Sequence, residues 1–363
     1  MFTNDSILLR EYFFPRITFK NSVEFKELYD HFQSIKRTPI NVTRFKESKM
    51  KGKVNIESDY GSQKILEQSY LFKKSSIHFT LGELPCTMNV YNDSEDNQRS
   101  LIDEIIQLVQ FVGSLSTTHI SKLILNLYLI DEKKTIHAKM KQLGKDEVNS
   151  GSCKRGDTTI ITIYRIEELM KVIIHELIHA FQYDDFIDTD QIIKHYQKKY
   201  NISSQQINTN EAYTEIWANL INCYLISQKV GRNQYNLFLI LIAFEKTFAS
   251  FQAHKVFYLT RLNEKNKVDI NKETNVLSYF IIRNEIYERI VPFLKFCKKH
   301  NEDYIKLKDE NKWFELLKKN YKMKKNNRRF NNMNKRDYLF STMRMSLNEL
   351  GIYAFVNTPS LLG

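Results

Sequence analysis

His175 and His179 stand four residues apart around Glu176, in a stretch that is otherwise apolar: Leu169-Met170-Lys171-Val172-Ile173-Ile174 before them and Ala180-Phe181 after. On an α-helix, side chains four apart lie one above the other, so both imidazoles can reach the same cation. Neutral imidazoles are good ligands for a tetrahedral Zn²⁺, and a carboxylate beside them is placed to handle the proton of an activated water. The chemistry to expect is metal-assisted hydrolysis, with Glu176 as general base taking the proton and later delivering it to a leaving amine.

A chance HExxH falls mostly on a loop or an exposed face, so its setting matters. Here Leu169, Val172, Ile173, Leu177, Ile178 and Phe181 recur at helical spacing. Glu167 and Glu168 are expected in the first turn, where the helix dipole favours acids. Two histidines do not hold a catalytic zinc by themselves. A third protein ligand is required, with the fourth position open to water and substrate.

Downstream, Asn210-Glu211-Ala212-Tyr213-Thr214-Glu215-Ile216-Trp217-Ala218-Asn219-Leu220-Ile221 reads as a helix that buries Ala212, Ile216, Trp217, Leu220 and Ile221. Glu211 and Glu215 share a face of it. This layout resembles zincin metallopeptidases of the glutamate-ligand class, in which HExxH is followed by ExxxD or ExxxE on a second helix. The resemblance implies that Glu211 is the third zinc ligand and that Glu215 orients a ligating histidine. Asp185 competes for the ligand position, because HExxH-x5-Asp is the spacing of a metzincin variant. Against it, Gln182 stands where that pattern has glycine, and no methionine occurs between Met170 and Met323 to form a Met-turn. Asp184 and Asp185 are therefore expected to follow the helix as solvated residues.

Before the helix, Asp157-Thr158-Thr159-Ile160-Ile161-Thr162-Ile163-Tyr164 is rich in β-branched residues and reads as a strand, preceded by turn-like Asn149-Ser150-Gly151-Ser152 and Lys154-Arg155-Gly156. In zincins a mixed sheet precedes the active helix and its edge strand pairs with an extended substrate, so the implied partner is a protein or peptide. Which strand forms that edge is left open by the sequence. The run from Asn149 through His175-Glu176 to Glu215 is also similar to metallopeptidase-like proteins encoded by large DNA viruses, which implies a viral protein acting in host-cell cytoplasm. Its Glu-x-x-x-Glu helix is similar to that of anthrax lethal-factor-type peptidases, which use a tyrosine near zinc. Tyr183, Tyr196, Tyr200 and Tyr279 are all candidates for that role. These resemblances cover about residues 120–225.

Only ten glycines and five prolines punctuate the 363 residues, which suits a helix-rich α+β protein. Cys86, Cys153, Cys223 and Cys297 are scattered, with no CxxC pair, which argues against a cysteine zinc site or a disulfide framework. The first residues lack the charged and then apolar profile of a secretory signal, and the apolar run Leu237–Phe244 is too short to span a bilayer. A soluble, cytoplasmic location is expected, with no membrane span.

Along the chain, Val23–Ser34 reads as a helix, Ile77–Leu81 and Thr87–Tyr91 as strands, Asn92–Asn97 as a linker, Ser100–Leu115 as an amphipathic helix and Leu123–Ile130 as a buried strand. From Glu167 onward helices dominate. This organisation divides the chain into an N-terminal α+β region (1–95), a zincin-like catalytic domain (96–295) in which a mixed sheet is followed by the active-site helix, and a basic helical extension (296–363). The net charge of +12 concentrates late, in Lys318, Lys319, Lys322, Lys324, Lys325, Arg328, Arg329, Lys335 and Arg336, interleaved with Tyr321 and Phe330. Such a cluster suits an acidic partner or nucleic acid, the second class of function, and is otherwise a solvated basic loop. A catalytically idle zincin fold serving as an interaction module is a third.

Overall fold

Apolar residues alternate along Lys73–Leu81 so that Ile77, Phe79 and Leu81 face one side, and this period of two folds the segment as a strand with one buried face. The computed structural model describes residues 1–18, 21–49, 61–92, 99–117, 120–136, 142–262, 267–319, 330–334 and 336–351. Helices α1 (Asn4–Phe13) and α2 (Val23–Ser34) are followed by strand β1 (Ile40–Lys49), a short α3 (Gln63–Leu66) and the hairpin of β2 (Lys73–Leu81) and β3 (Leu84–Asn92). Helix α4 (Arg99–Gly113) leads into β4 (Leu123–Tyr128), and α5 (Lys145–Val148), β5 (Gly151–Lys154) and β6 (Thr159–Ile163) precede α6 (Leu169–Ala180). The rest is mainly helical: α7 (Asp190–Tyr200), α8 (Thr209–Val230), α9 (Gln234–Leu259), α10 (Arg283–Glu288), α11 (Ile290–His300) and α12 (Glu310–Leu317).

The fold is mixed α+β around one six-stranded sheet of order β1-β2-β3-β4-β6-β5. Strands β1, β2 and β3 pair antiparallel, β3, β4 and β6 run parallel, and β5 returns antiparallel along the outside of β6. A parallel step needs a crossover, and α4 supplies it between β3 and β4. The sheet thus crosses the division expected at residue 95, because β3 on one side hydrogen-bonds to β4 on the other. The larger of two core clusters joins all three expected regions, with Phe25 and Leu28 from α2, Ile173 and Leu177 from α6, and Phe330 and Leu347 late in the sequence.

All but one residue of α6 are buried, which explains its nearly unbroken apolar sequence. The helix packs on α4, α8 and the strands β5 and β6, so its polar side chains must point into a shared interior. Its start differs from the expectation. Glu168 does not sit in the first turn but precedes it in the left-handed conformation, at φ 59°. Its carboxylate turns away from the helix, pairs with Lys134 and accepts the Met345 N–H at 3.0 Å and the Ser346 N–H. Glu167 likewise accepts the Lys134 N–H, at 2.8 Å. Both acids tie down distant chain rather than complement a dipole.

The segment that Glu168 holds is Thr342–Asn348, which runs fully buried beside α6 and α9. Glu245 on α9 accepts the N–H groups of Leu347 and Asn348, and Gln252 donates to the carbonyls of Thr342 and Arg344. Buried backbone without a sheet to join needs such side-chain partners. Residues 320–329 and 335, which carry most of the expected basic cluster, lie outside the described residues, as do 93–98 of the expected linker. Among the described residues, no helix is long and apolar enough to cross a membrane.

Candidate metal centre

His175 and His179 project from one face of α6 toward the first turns of α8, where Glu211 and Glu215 repeat the same four-residue spacing. The structure brings one donor atom each of His175, His179 and Glu211 to within 4.8 Å of one another. The two Nε2 atoms are 3.1 Å apart, and each is 3.3 Å from Oε2 of Glu211. Donors about 2.0–2.1 Å from a tetrahedral Zn²⁺ are spaced about 3.3–3.4 Å from each other. The three side chains therefore fit that ion in both chemistry and spacing.

The opposite ring nitrogens explain why both Nε2 atoms converge. Nδ1 of His175 lies 3.0 Å from Oε2 of Glu215, and Nδ1 of His179 lies 2.6 Å from Oδ2 of Asp184. A proton held at each Nδ1 by a carboxylate leaves the lone pair on Nε2, which is the tautomer a metal requires. Glu215 is the partner expected from the ligand helix. Asp184 corrects the expectation of a solvated residue, since it is fully buried and also takes hydrogen bonds from Arg155 and Thr214 at 2.9 Å each. Asp185, the alternative ligand, points outward; its side chain is 64% exposed and paired with Arg155 at 2.8 Å. The reason lies in Gln182, whose left-handed backbone (φ 58°) ends the helix as a glycine would and swings Asp184, not Asp185, back toward His179.

Charge balance keeps Glu215 ionised. Burial would raise its pKa, but Lys171 at 2.6 Å, His175 and Arg283 at 3.0 Å together hold it well below the carboxylate range. Glu211 is likewise pulled down by His179 and His175 against the effect of burial. Its other oxygen accepts from Asn275 Nδ2 at 3.2 Å, and Asn275 is itself held by Asn208 at 2.8 Å. For the histidines the sign reverses: burial lowers both values, yet their carboxylate partners raise the net pKa of each. Such a cluster gathers cations, whether protons or a metal.

Glu176 is buried beside these groups, and burial followed by the charge of Glu211 raises its pKa against the opposing histidines and Lys171. A carboxyl raised in this way is a stronger base than an ordinary carboxylate. Its carboxylate rests against Gly151 of β5, where a Cβ would stand 3.0 Å from Oε1. β5 is one edge of the sheet and β1 the other, and of the two it is β5 that lies against Glu176. Of the four candidate tyrosines, only Tyr279 is here, its ring centroid 6.0 Å from that of His175. It sits on a widened helical segment, Leu277–Ile282, of the π type often found at functional sites. Burial and the nearby Glu211 and Glu176 raise its pKa, so the hydroxyl keeps its proton. Tyr183 binds Val112 and Ser116 backbone, and Tyr196 and Tyr200 bind Glu285, all away from the centre.

A methionine does reach the site, although no Met-turn follows the helix. Met345 lines a recess with Val148, Ser150, Val172, His175 and Glu176. Neither Met345 nor Asn275 carries any signal in its local sequence, because each is delivered by the tertiary path of the chain.

Comparison with known proteins adds little that is specific. The chain is 28% identical over 149 residues to an uncharacterized protein, R210, of Acanthamoeba polyphaga mimivirus; the match covers 39% of this chain and 35% of that protein. The chain thus matches about a third of the length of this relative. No family model matches the chain, and no solved structure does.

Proposed function

We propose that the chain is a zinc-dependent metallopeptidase with a zincin-like core, in which His175, His179 and Glu211 hold the ion and Glu176 is the general base. The observation that carries this reading is the convergence of two Nε2 atoms and one carboxylate oxygen at mutual distances of 3.1 and 3.3 Å, with both Nδ1 atoms anchored on buried acids. A bound zinc would supply Lewis acidity toward water and carbonyl oxygen.

The chain's own groups account for the remaining steps. Glu176 removes a proton from the attacking water and hands it to the nitrogen of the leaving amine. Tyr279, partly buried and kept protonated by its surroundings, donates to the carbonyl oxygen as negative charge grows there. β5 offers its outer edge to an extended peptide, adding main-chain hydrogen bonds without demanding a particular sequence. Asp184 and Glu215 fix the imidazoles so that neither must reorient during turnover.

The experiment is hydrolysis of an unfolded protein substrate by the wild type and by Glu176→Gln. The variant should keep its zinc and lose turnover by a factor of about a hundred or more, the scale of general-base catalysis. Equal turnover in the two proteins contradicts the assignment.

A further inference from the structure

We propose that the recess beside Glu176 is a subsite for a small side chain, that of alanine or serine or none as in glycine, on the residue that supplies the leaving amine. This rests on the peptidase reading above. Glu176 must reach the leaving nitrogen to protonate it, so the residue bearing that nitrogen lies against Glu176, and its side chain meets the recess formed by Val148, Ser150, Val172 and Met345.

The recess holds about 30 Å³. One water needs about 10–15 Å³, so a methyl or hydroxymethyl group fits and an isobutyl or benzyl group does not. Its walls are not free to withdraw. Val172 belongs to the buried helix α6, and Met345 is pinned on both sides of its backbone, its N–H on Glu168 at 3.0 Å and its carbonyl on Arg283. At the mouth, Gly151 has no spare room, since a Cβ there would meet Glu176, Thr162 and Val172 at 3.0–3.2 Å.

Charge narrows the choice further. Lys134 and Lys171 also border the recess, but each is already paired, with Glu168 and Glu215. An acidic side chain therefore finds no free cation there.

The test is cleavage of a randomised peptide mixture by the full-length, zinc-loaded protein, with the new N-terminal residues counted by mass spectrometry. Serine, alanine and glycine should exceed leucine and phenylalanine by about tenfold or more. Met345→Ala, and independently Val172→Ala, should admit valine and leucine. Cleavage before leucine or phenylalanine as readily as before serine in the wild type would overturn the subsite while leaving the peptidase reading intact. Absence of cleavage at any peptide would overturn both.

Discussion

His179 Nδ1 lies 2.6 Å from Oδ2 of Asp184, a residue with no exposed surface, whereas Asp185 beside it is open to solvent. The two neighbouring acids thus differ in what they can do for the proposed metal centre. Asp184→Asn should weaken zinc binding by about 10- to 100-fold, the usual effect of removing such a partner. Asp185→Asn should leave it unchanged. Zinc competition against a chelator distinguishes them, and equal losses would contradict the pairing.

Lys171 and Glu215 form a buried ion pair at 2.6 Å. Lys171→Met removes a cation and leaves Glu215 to Arg283 and His175, which should destabilise the fold by about 3 kcal/mol, as broken buried pairs do. Chemical denaturation would read this directly; an unchanged midpoint would mean that Arg283 suffices.

Gly151 is required by a close approach and not by its backbone angle, because a methyl group there meets Oε1 of Glu176 at 3.0 Å and backbone O of Thr162 at 3.2 Å. Gly151→Ala should push Glu176 out of register and lower turnover by about ten- to a hundredfold while zinc content stays at the wild-type level. A variant that loses zinc as well would point to a wider disturbance of α6.

Glu168 gives the fold an acid-sensitive anchor. Burial alone would raise its pKa, but Lys134, Lys171 and Arg344 outweigh that and hold it at about 2, against an ordinary 4.5. A depressed folded-state pKa contributes stability that is present above the unfolded value and is lost as pH falls from about 4.5 toward about 2. Glu168→Gln should therefore flatten the stability profile over that window and lower stability at pH 7. Identical profiles for the two proteins would show that the anchor carries no such linkage.

Gln182 holds a left-handed backbone (φ 58°) that glycine adopts without cost. Gln182→Gly should be neutral or stabilising by up to about 1 kcal/mol in thermal unfolding, with zinc binding retained. A large loss of stability would mean that its side chain holds the turn.

Much of the centre was legible because it is built from short-range periodicity. The histidines and both ligand-helix acids follow from i, i+4 spacing inside apolar flanks, and Val23–Ser34 and Leu123–Tyr128 stand out by their own period. What escaped depends on a single backbone angle or on long-range packing. The choice between Asp184 and Asp185 turns on the φ of Gln182, which glycine would have announced. Glu167 and Glu168 read as first-turn acids because local rules cannot foresee that Lys134 meets Glu167 and that Thr342–Asn348 returns to bind Glu168. Asn275, Met345 and the sheet that joins residues on both sides of position 95 likewise belong to tertiary structure alone.

The central claim is that one cation is shared by His175, His179 and Glu211, and the most direct measurement is zinc content of the purified protein after dialysis. Wild type, Glu176→Gln and Asp185→Asn should each retain about one zinc per chain, while His175→Ala, His179→Ala and Glu211→Gln lose it. Retention of zinc by Glu211→Gln at wild-type affinity would contradict the assignment.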